Sequence, residues 1–121
     1  MHIEETVYER PWGQYIKILE EDGFWVKRVE VKAGQRLSLQ KHTHRSEKWN
    51  IVLGKGLVTL NKEEKEVVSG DLVDVPIGAE HRIKNTGKDP LVFIEIAYGK
   101  NLSEEDIERI QDDYERTPGL K

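Results

Sequence analysis

An antiparallel all-β barrel or sandwich is the fold predicted for this chain of 121 residues, and three features of the sequence predict it. Short apolar segments with period-two alternation recur along the chain. Gly, Pro, Asn and Asp cluster between them. No helical pattern separates one strand from the next, as βαβ units would require.

Taken in order, residues 7–13 read as irregular, because Pro11 and Gly13 punctuate them. Tyr15 to Leu19 and Phe24 to Val31 alternate on either side of a turn at Glu20 to Gly23, which predicts a hairpin. On its second arm Trp25, Lys27, Val29 and Val31 share a face. Lys32-Ala33-Gly34 turns the chain into a strand from Arg36 to His44. Glu47 to Leu53 follows, with Glu47, Trp49, Ile51 and Leu53 on one face, and Gly54-Lys55-Gly56 leads into a hairpin arm from Leu57 to Leu60. Asn61 to Lys65 reads as a charged turn before Val67 and Val68. Ser69-Gly70-Asp71 is another turn, the short strand Leu72 to Val75 stops at Pro76 and Gly78, and His81 to Asn85 and Leu91 to Ala97 are the last strands. The barrel is thus expected over residues 7–98 of a single domain. The end of the chain departs from this pattern. Ser103 reads as an N-cap, Glu104, Glu105 and Asp106 place acids where a helix dipole favours them, and Ile107, Ile110 and Tyr114 fall on one stripe. These predict a short C-terminal α-helix over residues 103–116.

Composition excludes several classes of function. Net charge is −4 with no basic run, which argues against a nucleic-acid partner and against a membrane-surface helix. Cysteine is absent, so disulfides, thiolate metal ligands and thiol nucleophiles are ruled out together. The first residues, Met1-His2-Ile3-Glu4-Glu5, lack the basic and apolar parts of a secretion signal, no window is apolar enough to span a bilayer, and a cytoplasmic protein is expected.

The chemistry gathers around residues 38–47. On an extended strand Ser38, Gln40, His42 and His44 point one way, and Leu37, Leu39, Lys41 and Thr43 the other. Two histidines one residue apart, with Glu47 three positions on, can converge on one divalent cation, because imidazole and carboxylate donors suit zinc, manganese, nickel or iron. Leu37 and Leu39, facing away, need cover from the C-terminal helix or from a second subunit. Lys27, on an otherwise apolar face, is either a rim lysine whose ammonium reaches water or a catalytic or anion-binding group. A second segment supplies a partner for the first histidines. From Gly70 it runs five residues, Pro76-x-Gly78, two residues, His81, three residues, Asn85, and its turn residues deliver His81 onto a new strand.

With Glu47 and Gly54 framing the first segment, the two segments resemble the paired motifs of the cupin superfamily. Within it the chain is most similar to the type II phosphomannose isomerase cupins, found alone or as the C-terminal domain of bifunctional mannose-1-phosphate guanylyltransferases. The resemblance is carried by Arg10-Pro11-Trp12-Gly13-x-Tyr15, Val26-Lys27-Arg28, the run from Leu37 to Trp49, Pro76-x-Gly78-x-x-His81-Arg82-x-x-Asn85 and Leu102-x-Glu104-x-Asp106-Ile107. It implies a jelly-roll barrel (an antiparallel double-stranded β-helix), one divalent metal on His42, His44, Glu47 and His81, a sugar phosphate substrate and a homodimer. One departure concerns Glu47. Only Arg45 and Ser46 separate it from His44, one residue fewer than the usual cupin spacing, which makes Gln40 the reserve ligand.

The reaction implied by the resemblance interconverts mannose 6-phosphate and fructose 6-phosphate. It needs a base to move a proton between C1 and C2, an electrophile for the enediolate oxygen, and cations for the phosphate. Glu47 or Lys27 is expected as the base; Arg45, Arg36, Lys27 and Arg10 as phosphate ligands; Ser38 and Gln40 as sugar-binding groups or as hydrogen-bonding groups of the barrel interior. Arg82 is expected to turn away from the pocket, since it follows His81 on the strand. A sugar-binding or regulatory cupin without turnover is the alternative, and a cupin oxygenase a further one, disfavoured by the polar row of Arg36, Ser38 and Gln40.

Overall fold

The computed structural model describes residues 6–114, which form eleven strands in two antiparallel sheets. In chain order the strands are β1 (Val7–Arg10), β2 (Gly13–Glu21), β3 (Phe24–Val31), β4 (Leu39–Lys41), β5 (Ser46–Leu53), β6 (Lys55–Leu60), β7 (Glu63–Val68), β8 (Leu72–Val75), β9 (His81–Asn85), β10 (Leu91–Tyr98) and β11 (Glu108–Gln111). One sheet runs β1-β2-β3-β10-β5-β8 and the other β11-β4-β9-β6-β7. Their inward rows, among them Val29, Val31, Trp49, Ile51 and Phe93 from the first and Val58, Val67 and Ile83 from the second, meet in one apolar core. This is the jelly-roll architecture expected of the sequence. No helix among the described residues is long and apolar enough to cross a membrane.

Three stretches differ from expectation, each for a local reason. Residues 7–10, read as irregular, pair with β2 from Val7↔Ile16 to Arg10↔Gly13. Residues 61–65, read as a turn, hold a turn of only two residues. Asn61 (φ 48°) and Lys62 (φ 71°) both take the left-handed conformation that matches strand twist in a tight hairpin, so Glu63 already belongs to β7. The charges that suggested a loop belong to an edge strand, where they discourage pairing with another chain.

The third difference is the C-terminal helix expected over residues 103–116, which is absent among the described residues; positions 115 and 116 lie outside them. Ser103 does act as a local cap, its Oγ accepting from the Glu105 N–H at 3.1 Å, but the chain completes only a turn. The carboxylate of Asp106 then accepts the backbone N–H groups of Thr43 and His44, each at 2.8 Å, and residues 108–111 add to the edge of β4 as β11. Acids that favour a helix N-terminus serve equally well as acceptors for a neighbouring loop, and tertiary pairing overrides the helical stripe. Leu39 is half-buried and pairs laterally with Gln111 of β11. Leu37 sits ahead of β4, outside the strand alternation, and packs against the core.

Candidate active site

Between the sheets lies a cavity that opens to solvent. β4 and the turn after it supply the first wall. Gln40 and His42 point inward and are buried. The strand then ends at Lys41, and just beyond it Asp106 takes the N–H groups of Thr43 and His44 and bends the chain. The bend turns His44 out into solvent and brings Arg45 into the cavity in its place. The alternation expected through residue 44 thus stops short, and the structure does not bring His44 to the other candidate ligands.

It does bring together His42, Glu47 and His81, whose donor atoms all lie within 4.8 Å of one another. His81 starts β9 beside Gln40, its register partner on β4. The loop before it turns at Gly78, whose φ of 80° suits glycine and whose N–H bonds the His42 carbonyl at 2.9 Å. Both imidazoles are fixed by backbone carbonyls. Nδ1 of His42 donates to Asp106 at 2.6 Å and Nδ1 of His81 donates to Ala79 at 2.9 Å, which leaves each Nε2 as a lone-pair donor. Burial, reinforced by the charge of Arg45, pushes the His42 pKa down to about 3, so its ring is neutral near pH 7.

Glu47 is held at both oxygens. Oε1 accepts from the Trp49 indole at 2.9 Å, and Oε2 accepts from Arg45 Nε at 2.9 Å and lies 3.2 Å from His42 Nε2. Burial raises its pKa, but the Arg45 guanidinium, with the Trp49 indole bond and the Lys27 ammonium, outweighs that and holds it below the usual carboxylate range. Two imidazole nitrogens and a carboxylate at this separation fit a divalent cation. Arg45 meets the same acceptors, with its second amino group 3.2 Å from His42 Nε2.

The other expected site residues divide sharply. Ser38 is 1% exposed and lines the cavity, and among the described residues its Oγ has no hydrogen-bond partner. Arg10 lines the mouth beside Tyr15. Lys27, only 5% exposed, is no rim lysine. Its ammonium pairs with Glu104 at 2.7 Å and sits 4.3 Å and 4.4 Å from the ring centroids of Tyr15 and Trp25. Arg36 lies outside the cavity, engaged in a two-pronged pair with Asp113 at 2.6 and 2.8 Å. Arg82 also faces away, donating to the Leu37 carbonyl and to Gln111.

Three cavity residues escaped sequence reasoning. Glu104 was read as a helix-start acid. In fact it reaches Lys27 and Lys17, and although burial raises its pKa, those ammonium groups hold it below the usual range. Arg109 enters from β11, opposite Gln40, and only the unforeseen strand explains its position. Glu95 did leave a signal. It stands on the inward row with Leu91, Phe93 and Ala97, and its register partner on β3 is Lys27, the other charge on an apolar face.

Comparison with known proteins gives this arrangement a context. A family model described as "Mannose-6-phosphate isomerase C-terminal" matches residues 1–112. The mannose-1-phosphate guanylyltransferase ManC of Salmonella typhimurium is 43% identical over 115 residues, covering 95% of this chain and 24% of that protein. The alginate biosynthesis protein AlgA of Pseudomonas aeruginosa is 44% identical over 108 residues, covering 89% of this chain and 22% of that one. The chain therefore spans about a quarter of the length of these curated relatives. Among solved structures, the Cnp3 cupin domain of Schizosaccharomyces pombe superposes with a TM-score of 0.70 at 24% identity, covering 72% of this chain and 64% of that one. The capsular polysaccharide assembling protein CapF of Staphylococcus aureus superposes with a TM-score of 0.75 at 24% identity, covering 88% of this chain and 34% of that one. At such identity the structural likeness speaks to the fold alone.

Proposed function

The chain belongs to the mannose-6-phosphate isomerase C-terminal family, and from that membership and the cavity we propose that it is a metal-dependent aldose-ketose isomerase interconverting mannose 6-phosphate and fructose 6-phosphate. His42, Glu47 and His81 would hold one divalent cation, with Gln40 beside His81 as a further donor. When bound, that ion supplies a Lewis acid for the oxyanion that develops on the sugar. Zinc, manganese, nickel and iron(II) all accept this donor set.

The observation that carries the reading is the company the three ligands keep. They share one cavity with the buried hydroxyl of Ser38, which has no hydrogen-bond partner among the described residues, and with cationic side chains from Arg10, Lys27 and Arg109. An orphaned hydroxyl suits a polyol, which can both donate to it and accept from it. Guanidinium groups suit a phosphate. Arg10 and Arg109, whose guanidinium-bearing side chains line the cavity, are the phosphate ligands in this reading. The homodimer is assigned to the outer face of the six-stranded sheet, where Val26, Ile94 and Ile96 are only half-buried.

The test is to load the protein with each of the four metals, add mannose 6-phosphate and follow fructose 6-phosphate. Turnover that a chelator abolishes is expected. Tight sugar-phosphate binding with no turnover under any metal would replace the isomerase by a sugar-binding cupin.

A further inference from the structure

The isomerase reading leaves the proton carrier open, and the cavity narrows the choice to one residue. Lys27 has its ammonium paired with Glu104 at 2.7 Å. Glu47 has each oxygen engaged, by Trp49, by Arg45 and beside His42. The histidines spend Nδ1 on backbone carbonyls and turn Nε2 toward the candidate metal position. Glu95 remains. It lies at mid-length on β10, between Lys27 of β3 and Trp49 of β5 in the register, is 8% exposed, and lines the cavity. Among the described residues its carboxylate has one hydrogen bond, accepted by Oε2 from the Trp25 indole at 2.9 Å, and no ion pair.

We propose that Glu95 is the general base and acid of the isomerisation, a catalytic residue that carries one proton between C2 and C1 of the open-chain sugar phosphate. The inference rests on the isomerase reading. In the forward direction the carboxylate takes the C2 proton. The C2–H electron pair becomes the C1=C2 bond, and the carbonyl pair moves onto O1. The C2 hydroxyl then gives up its proton, its oxygen pair closes the C2=O bond, and the C1=C2 pair takes the proton from the Glu95 carboxyl to form the new C1–H bond. O1 ends protonated by the proton that O2 released. Carbon is oxidised at C2 and reduced at C1, so no outside oxidant or reductant enters.

The surroundings suit the task. Burial, and after it the negative charge of Glu47, push the Glu95 pKa up, while Lys27, Arg45 and the Trp25 indole pull against them. A carboxyl with a raised pKa is better suited to accept and return a proton than one at its ordinary value. The Trp25 bond fixes one oxygen and with it the direction of the other.

Glu95→Gln keeps the size of the side chain and an acceptor for Trp25. In the metal-loaded protein it is expected to lower kcat by about 10²- to 10⁴-fold with KM and bound-metal content unchanged, and to abolish exchange of the C2 hydrogen of mannose 6-phosphate with deuterated solvent. Trp25→Phe gives an independent readout. Loss of the indole N–H removes a pull on the carboxyl, so the acid limb of the pH–rate profile moves to higher pH, whereas a purely structural role would scale the whole profile. If Glu95→Gln does not fold, that profile decides. Wild-type rates of turnover or exchange in Glu95→Gln, or an unmoved acid limb in Trp25→Phe, overturn the assignment while an active wild type leaves the isomerase standing. A wild type that does not isomerise overturns both.

Discussion

Asp106 ties the C-terminal segment to the loop between β4 and β5, and Asp106→Asn isolates that tie. The carboxylate accepts two backbone N–H groups at 2.8 Å each, from Thr43 and His44. Asparagine retains one acceptor oxygen and presents an NH₂ group to the other N–H, so one charge-assisted bond is lost outright and the second becomes neutral. Hydrogen bonds to charged groups contribute about 1.5–3 kcal/mol each, and partial exposure of the site favours the lower end, which gives a cost of about 2 kcal/mol. For a domain of this size that corresponds to a fall in Tm of roughly 6–10 °C. Thermal unfolding followed by tryptophan fluorescence measures it. Amide exchange at Thr43 and His44 should accelerate by about 30-fold, the equivalent of the same free energy. The pH dependence adds a second signature. Burial raises the Asp106 pKa, but the two N–H groups outweigh it and hold the group below its ordinary value. The stabilisation is therefore complete above the ordinary Asp range and is lost as pH falls through the depressed folded-state value. The variant should lack that loss. An Asp106→Asn protein with unchanged Tm and unchanged protection at both amides would refute the docking of the segment onto the loop.

Other expectations follow from the placement of single residues. Arg10→Ala should raise KM for the sugar phosphate, whereas Arg36→Ala, which breaks only a half-exposed pair with Asp113, should cost about 1 kcal/mol or less and leave KM unchanged; steady-state kinetics and urea unfolding separate them. Ile51, 0% exposed, should lose about 3 kcal/mol on Ile51→Ala with an unchanged urea m-value. Glu104 has a lowered folded-state pKa through Lys27 and Lys17 despite its burial, so its stabilisation holds above the ordinary Glu range and fades as pH drops through the folded-state value. Urea midpoints of Glu104→Gln should accordingly fall less on acidification than those of the wild type.

The barrel was legible because its strands are half-buried and announce themselves by alternation. Trp25, Val29 and Val31 on β3 and Trp49 and Ile51 on β5 all face the core as their spacing requires. His81 and the turn at Gly78 were legible for the same reason, a rigid loop feeding a strand. What failed was the extension of alternation beyond the end of a strand. β4 holds only residues 39–41, and the exit of His44 depends on a carboxylate 62 residues away in sequence, which no local pattern records. The short spacing from His44 to Glu47 was the available warning. Counted from His42 there are four intervening residues, room for the chain to turn from β4 into β5, and Gln40 then takes the second inward position. The C-terminal segment misled in the same way. Ser103 and the acids after it satisfy a helix start, yet Glu104, Asp106 and Arg109 are spent on Lys27, the loop and the cavity, all distant contacts. Glu95 and Lys27 form the instructive pair, since each was a lone charge in an apolar row and only the register of β10 on β3 sets them side by side.

Metal content tests the central claim most directly. Protein purified without added metal should carry about one divalent ion per chain, His42→Ala and His81→Ala should lose it, and His44→Ala should retain it at full occupancy, because His44 is turned out to solvent. Loss of the ion from His44→Ala, with retention in His42→Ala, would contradict the account.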